Sequence, residues 1–535
     1  MMGSKNFGVI AAGHPETASA GIKMLEMGGN AFDAAVAALL ASCVAETGLT
    51  SLAGGGFLLA HTADHQNILF DFFSQTPRHK SVDPQLNFYP VTVNFGDAVQ
   101  EFHIGLGSMA VPGNVAGIFH VHQKLGRLPF SEVVAPAITL AETGVILNSF
   151  QHYLFSTVLR PILLASPAGY PIYEPTGDII PLGGKLTITD LGKTLRKLAE
   201  YGPREFYEGE IAQQLVKDCQ EQGGHLTLED LSSYQVIERD PLILNYRGNT
   251  LLTNPPPSSG GTLIAFALQL LSTLDLKKYP FGSVEHLQIL ARVMELSNQA
   301  RKSNFDPELY TPQIAEKFLS EDHFSPYQEQ LRQTVNKLGS TTHISVIDQE
   351  GNGASVTTSN GEGSGYIIPG TGIMVNNMLG EEDLNPHGFH QWQENVRISS
   401  MMSPTIVLKN NQPEIVIGSG GSNRIRTAIL QVISNILDFK MSVEAAVSSP
   451  RIHWENQRLS LEPGFSSETI KTLQEIFPQA QQWSEKNMFF GGLHTVMEDA
   501  EGQITGAGDG RRNGVSLQTA KGIDYSNFHT DEVQV

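Results

Sequence analysis

The sequence predicts a mixed α/β fold, and two observations carry that expectation. Stretches with apolar residues at helical spacing alternate with short β-branched runs, and the strand-like runs gather in the last third of the chain. The 52 glycines among 535 residues mark many tight turns, while the 17% of charged residues lies below the roughly 25% of an average globular chain. Length and composition therefore allow a large buried core in a loop-rich protein.

Taken in order, PETASAGIKMLEMGG predicts a helix with Pro15 in its first turn and a stop at Gly28-Gly29. A second helix follows through AFDAAVAALLASCVA. The stretch AGGGFLLAHTADHQNILFDFF then reads as a hairpin entered through flexible glycines, Gly54, Gly55 and Gly56. Helical spacing dominates residues 113–240, as in NVAGIFHVHQKLG and LGKTLRKLAEYG, and NPPPSSGG at 254–261 breaks it because proline lacks the backbone donor. The helix TLIAFALQLLSTL restarts at once. Polar, aperiodic text between about 305 and 340 predicts an exposed loop. Beyond it HISVID and GASVTTS form a hairpin pattern turning at Gly351, followed by short glycine-punctuated strands and the helix IRTAILQVISNILDF.

Charge narrows the partners. A formal net charge of −20 with no polybasic run excludes nucleic acid and anionic membrane and leaves a small-molecule substrate. No N-terminal apolar run has secretory length, and the longest apolar stretch is interrupted by Asp33, so a soluble, cytoplasmic protein is expected. Cys43 and Cys219, the two cysteines, build neither a disulfide framework nor a multi-cysteine metal site.

Several motifs fail on inspection. GEGSG at 361–365 continues into Tyr366 where a dinucleotide loop needs glycine, and GAGDGRR at 506–512 lacks the phosphate-loop lysine and reads as a turn offering Asp509 and Arg511 for pairing. HGFH at 387–390 has two histidines but no third ligand at metal spacing, so neither a metal nor an organic cofactor is expected. What remains is the hydroxyl of Thr341. Threonine is a poor nucleophile without a base, and the α-amine of the same residue supplies one when that residue begins a chain. An α-amine titrates near 7.7–8.0, so much of it is neutral close to physiological pH. A cut between Ser340 and Thr341, after a small-residue approach, would create that arrangement.

The motifs GGNAFDAAVAA, AGGGF, MAVPGNVAG, NPPPSSGG, STTHISVID, GIMVNN, SSMMSPTIV and GSGGSNRI stand in one order along the chain. In that order they resemble the γ-glutamyltranspeptidase (glutathione hydrolase) family of the N-terminal nucleophile hydrolase class. The resemblance implies a four-layer αββα sandwich and a precursor that cuts itself into residues 1–340, the large subunit, and 341–535, the small subunit, together one compact domain. It implies Thr341 as nucleophile, Ser359 as the hydroxyl beside it, and Gly420 and Gly421 as backbone donors to the oxyanion. Substrate-holding roles fall on Asn360, on Ser399 and Ser400, and on Glu381 or Asp383 for the substrate amine. Where typical members read DFRE, with an arginine that pairs the γ-glutamyl α-carboxylate, this chain reads DFFS and places Phe73. Arg78, Arg397 and Arg424 are the candidate replacements. The implied reaction is acyl transfer from an amide to Thr341 and on to water or an amine. Alternatives are an oxamate amidohydrolase-like enzyme acting on another small acyl amide, and a processed but catalytically silent binding protein.

Overall fold

The computed structural model describes residues 8–81, 85–94, 99–330, 341–385, 388–455 and 457–519. Two antiparallel sheets face each other at the centre. The seven-stranded sheet runs in the order Val515–Gln518, Gly8–Ala12, Thr342–Asp348, Gly353–Ser359, Gly55–His61, Asn67–Phe72 and Ile237–Arg239. The six-stranded sheet runs Ile504–Gly508, Gly492–Glu498, Gln412–Gly420, Thr405–Lys409, Asn249–Thr253 and Leu242–Tyr246. Both sheets thus mix strands from before and after Thr341, so the two halves of the chain complete each other's hydrogen-bond ladders.

Period-two alternation explains the layering. Ile10, Ala12, Ile344 and Val346 pack under one layer of helices, while Val9, Ala11 and Ile347 belong to the apolar layer between and beyond the sheets. The helix Ala31–Ala45 is buried at every residue, because the sheet covers one side and the helices Asn114–Leu125 and Phe130–Thr143 cover the other. Helices that are apolar all round need such cover. Its start is fixed by a capping box: the Asn30 side chain accepts the N–H groups of Phe32 and Asp33, and Asp33 Oδ2 accepts the Asn30 N–H at 3.0 Å. Helices Gly260–Ser272 and Arg424–Leu437 cover the outer face of the second sheet. The result is the αββα sandwich.

Polar ties stitch the two sheets together. Ser355 Oγ donates to the Ile417 carbonyl at 3.0 Å, and Ser345 Oγ donates to that of His494 at 2.9 Å. His343 stands between Thr357 Oγ1 and Ser345 Oγ, at 2.8 and 2.9 Å, and fills the space that a side chain at Gly418 would need.

Two expectations need correction. The glycines at 54–56 are buried contact points rather than a flexible entry: a Cβ would stand 2.5 Å from the Ser359 carbonyl oxygen at Gly54 and 2.6 Å from that of Thr357 at Gly56. Part of the supposed exposed loop is helical, over Ile314–Phe318 and Glu321–Gln330. Phe318, Phe324 and Tyr327 pack on Phe266 with ring centroids 5.0–5.7 Å apart, and that tertiary apolar contact outweighs the polar local pattern. Ser340, one side of the expected cut, and His387 of the HGFH motif lie outside the described residues.

Candidate active site

Thr341 immediately precedes the strand Thr342–Asp348, whose partner strand is Gly353–Ser359. The register pairs Thr342 with Thr358, so one step further sets Ser359 opposite Thr341, on the face turned to the second sheet. Directly opposed residues hold their Cβ atoms about 4.5–5.5 Å apart. Both are buried, at 3% and 5% exposure, yet both line the same cleft. Ser359 Oγ also accepts the Gly361 N–H at 3.0 Å, which fixes its rotamer.

The strand Gln412–Gly420 brings glycine backbone against Thr341. A Cβ on Gly420 would fall 1.6 Å from the Thr341 carbonyl oxygen, so no other residue fits without displacing Thr341. Gly421 follows at φ +121°, a conformation that side chains rarely adopt. Ser419 Oγ donates to the Gly420 carbonyl at 2.8 Å and accepts the Gly492 N–H at 3.3 Å, tying this corner to the neighbouring strand.

Two charged groups missed by sequence reasoning hold the start of the nucleophile strand. Arg512 Nη1 donates to the Thr341 carbonyl at 2.6 Å and Nη2 to that of Met488 at 3.4 Å. Burial pulls the guanidinium down to about 10 while Asp509, Glu362 and Glu46 oppose the fall, so it remains a cation at neutral pH. Glu46, at the end of the helix Ala31–Ala45, accepts Thr342 Oγ1 at 2.6 Å and Thr17 Oγ1 at 2.8 Å. Its pKa is raised by burial against these hydrogen bonds. The second arginine of GAGDGRR was the available signal for Arg512. Asp509 and Arg511 pair as expected, at 3.1 Å, and Asp509 also binds Arg451 at 2.7 Å.

The acids fall on the same cleft. Glu381 and Asp383 both line it, together with Phe73, Met378, Ser399, Ser400 and Ser422. Glu381 Oε1 accepts the Glu362 N–H at 3.1 Å; burial first, then Glu362 and Asp383, push its carboxyl well above the usual range. Asp383 Oδ2 accepts Ser422 Oγ at 2.8 Å and Asn423 Nδ2 at 3.5 Å. Burial and the Glu455 carboxylate raise it to about 6, against the Ser422 hydrogen bond and the pull of Arg301 and Arg424. A cationic substrate group would relieve both carboxyls. Ser400 Oγ accepts the Met402 N–H at 3.0 Å, and Ser399 Oγ shares a hydrogen bond with Ser259 Oγ at 3.0 Å. Asn360 does not line the cleft: it is buried behind it, its backbone N–H on the Leu49 carbonyl and Nδ2 3.5 Å from that of Met374.

Phe73 forms an apolar wall stacked on Phe57 at 5.4 Å. None of the three candidate arginines lines the cleft. Arg397 donates to the Phe73 carbonyl, the Tyr234 hydroxyl and the Gln235 carbonyl. Arg424 Nε donates to the Phe489 carbonyl at 2.8 Å, and Arg78 Nε to Ser233 Oγ at 3.1 Å. The cleft therefore offers a hydroxyl pair, bare backbone and acids, with Phe73 as an apolar part of its wall.

A facing pair of helix-covered antiparallel sheets with a threonine at a central strand start defines the N-terminal nucleophile hydrolase class. Within it, the chain belongs to the γ-glutamyltranspeptidase family, whose model matches residues 17–519. It is 32% identical over 545 residues to the glutathione hydrolase proenzyme of Escherichia coli, covering 94% of this chain and 90% of that protein. It is also 29% identical over 529 residues to an acylase ACY 1 proenzyme of a Pseudomonas species, covering 96% and 94%. Cephalosporin acylase from Bacillus halodurans superimposes with a TM-score of 0.85 at 23% identity, covering 98% of this chain and 97% of that one, which establishes the shared fold. The chain is thus a γ-glutamyltranspeptidase-like acyltransferase or hydrolase.

Proposed function

We propose that the chain cuts itself before Thr341 and then transfers a γ-glutamyl-type acyl group through a Thr341 ester. In the cut, Thr341 Oγ adds to the Ser340 carbonyl, the Ser340–Thr341 C–N bond breaks with a proton passing to the nitrogen, which frees the α-amine, and water then hydrolyses the resulting ester to release the Ser340 carboxylate and restore the Thr341 hydroxyl. In turnover the α-amine takes the Thr341 hydroxyl proton as Oγ–C bonds form, and that proton leaves on the departing amine nitrogen when the substrate C–N bond breaks. Water or an acceptor amine then attacks the ester, and its proton passes through the α-amine back to Oγ. Ser359 holds the nucleophile, backbone at Gly420 and Gly421 receives the oxyanion, and the acids at Glu381 and Asp383 with Ser400 take the donor's ammonium and carboxylate ends. After the cut, residues 1–340 and 341–535 stay together because they share both sheets.

One observation carries the reading: Thr341, Ser359, Glu381 and Asp383 line one cleft, with Gly420 packed on the Thr341 carbonyl. A purely binding protein has no use for the nucleophile–glycine contact, and a small anionic amide such as oxamate, which carries no ammonium group, is poorly suited to a cleft carrying the Glu381 and Asp383 carboxyls. The test is a donor panel on processed protein, comparing γ-glutamyl anilide with anilides lacking the amino and carboxylate groups. The γ-glutamyl donor should be preferred. Equal or better turnover of the uncharged anilides would reject the acyl assignment.

A further inference from the structure

The charged side chains that line the cleft are of one sign. Glu381 and Asp383 face it, and among the described residues no lysine, arginine or histidine lines it. Three buried arginines next to lining residues bind elsewhere. Arg397 donates to the Phe73 and Gln235 carbonyls and the Tyr234 hydroxyl and stands 3.5 Å from Asp71. Arg512 donates to the Thr341 and Met488 carbonyls, and Arg424 Nε to that of Phe489 at 2.8 Å. The serines offer an anion little more. Ser422 Oγ already donates to Asp383 at 2.8 Å, and Ser399 Oγ is tied to Ser259 Oγ at 3.0 Å. Ser400 Oγ accepts the Met402 N–H at 3.0 Å and keeps its own proton to give. Phe73, Met378, Leu384 and Ile425 add apolar lining, with Phe73 held by its stack on Phe57. A carboxylate entering this cleft would meet the Ser400 hydroxyl and two acids, and a charge buried without a cation beside it is costly. An ammonium group meets the opposite conditions: both acids attract it, and it relieves the repulsion that Asp383 exerts on Glu381.

We infer that the preferred acyl donor carries the ammonium group without the carboxylate: it is an amide of a linear ω-amino acid, with γ-aminobutanoyl as the match in length to γ-glutamyl. The inference rests on the reading above for the Thr341 ester and for the acids as partners of the donor amine. The γ-aminobutanoyl group keeps the γ-glutamyl spacing between carbonyl and ammonium and has hydrogen in place of the carboxylate. The bonds made and broken are those already given: Thr341 Oγ bonds to the acyl carbon, the amide C–N bond breaks, and the hydroxyl proton leaves on the departing nitrogen. Water then releases the free amino acid. Turnover of γ-glutamyl donors, with Ser400 meeting the carboxylate, is the slower reaction of the same site.

The experiment uses processed wild-type protein with γ-aminobutanoyl, γ-glutamyl, glutaryl and butanoyl anilides, which carry the ammonium alone, both groups, the carboxylate alone and neither. The ratio of kcat/KM should favour γ-aminobutanoyl over γ-glutamyl by at least about tenfold, the scale of leaving a buried charged group unsatisfied. Phe73→Arg should move that ratio towards the γ-glutamyl donor, and Asp383→Asn should shrink the advantage of γ-aminobutanoyl over butanoyl. Calorimetry of the free products gives an arm independent of turnover, with γ-aminobutanoate expected to bind tighter than glutamate. Equal or better turnover of the γ-glutamyl donor, or tighter binding of glutamate, overturns the inference and leaves the γ-glutamyl reading standing. A panel led by γ-aminobutanoyl in which γ-glutamyl is no better than butanoyl rejects that reading and sustains this one. Butanoyl or glutaryl turnover equal to that of γ-aminobutanoyl overturns the inference, because the acids then do not select an amine.

Discussion

Replacing Arg512 with methionine removes the charged donor on the Thr341 carbonyl while keeping a stem of similar length against Gly492, whose added Cβ would meet Arg512 Cδ at 2.3 Å. The surrounding acids keep other partners. Asp509 retains Arg451 and Arg511, and Glu46 retains Thr17 and Thr342, so neither of these two carboxylates is stranded and the fold should survive. The lost bond, 2.6 Å long and made by a buried cation, belongs to the class contributing about 1.5–3 kcal/mol. Expressed in the transition state, that is about 10- to 150-fold in kcat. A second readout separates electrostatics from mere packing. Removing a cation near the Thr341 α-amine stabilises its ammonium form, so the acid limb of kcat/KM should move to higher pH, with Glu46 and Glu362 left to reinforce the shift. Arg512→Lys should hold the limb near its wild-type position. The assay is steady-state hydrolysis of a γ-glutamyl anilide across pH, on protein whose processing state is verified by mass spectrometry. A methionine variant with kcat within twofold of wild type and an unmoved acid limb would refute the reasoning.

Three further outcomes are expected. Ser359→Ala should lower kcat by about 10²-fold, the usual scale for losing a positioned polar group that acts mainly in the transition state; an unchanged kcat would make Ser359 a strand residue only. Phe73→Arg should lower KM for γ-glutamyl donors by about 10- to 100-fold and leave uncharged amides behind; equal effects on both donor classes would place residue 73 away from the donor carboxylate. For Asp383, raised to about 6, the carboxylate that attracts a donor ammonium is present above that pH and lost as pH falls through it. The acid limb for γ-glutamyl donors should therefore steepen by one proton below about 6, a feature absent for uncharged amides and abolished by Asp383→Asn.

The nucleophile strand was legible because its signals are local. The hairpin turning at Gly351, at φ +88°, is set by neighbouring residues, whereas Ser359 came from the family resemblance, and the strand register sets it opposite Thr341. The Pro15 start likewise depends on neighbours in sequence. Arg512 was not legible, since it meets Thr341 across 171 positions and its sequence neighbours Asp509 and Arg511, in the turn after the strand Ile504–Gly508, carried the evident pairing signal. Nor was the helix Glu321–Gln330, which contains Pro326 and owes its stability to aromatic packing on Phe266. The cleft's composition was largely readable from motifs, but its limits were not. Nothing local tells that Asn360 turns inward, or that Arg397 is consumed by the Phe73 carbonyl and Tyr234.

The central claim is that an internal threonine becomes a chain start, and intact mass spectrometry of the purified protein tests it most directly. The account predicts two species, residues 1–340 and residues 341–535 with a free α-amine on Thr341, and a single inactive full-length chain for Thr341→Ala. A fully active uncut chain, or a cut that leaves any residue other than Thr341 at the new N-terminus, would contradict it.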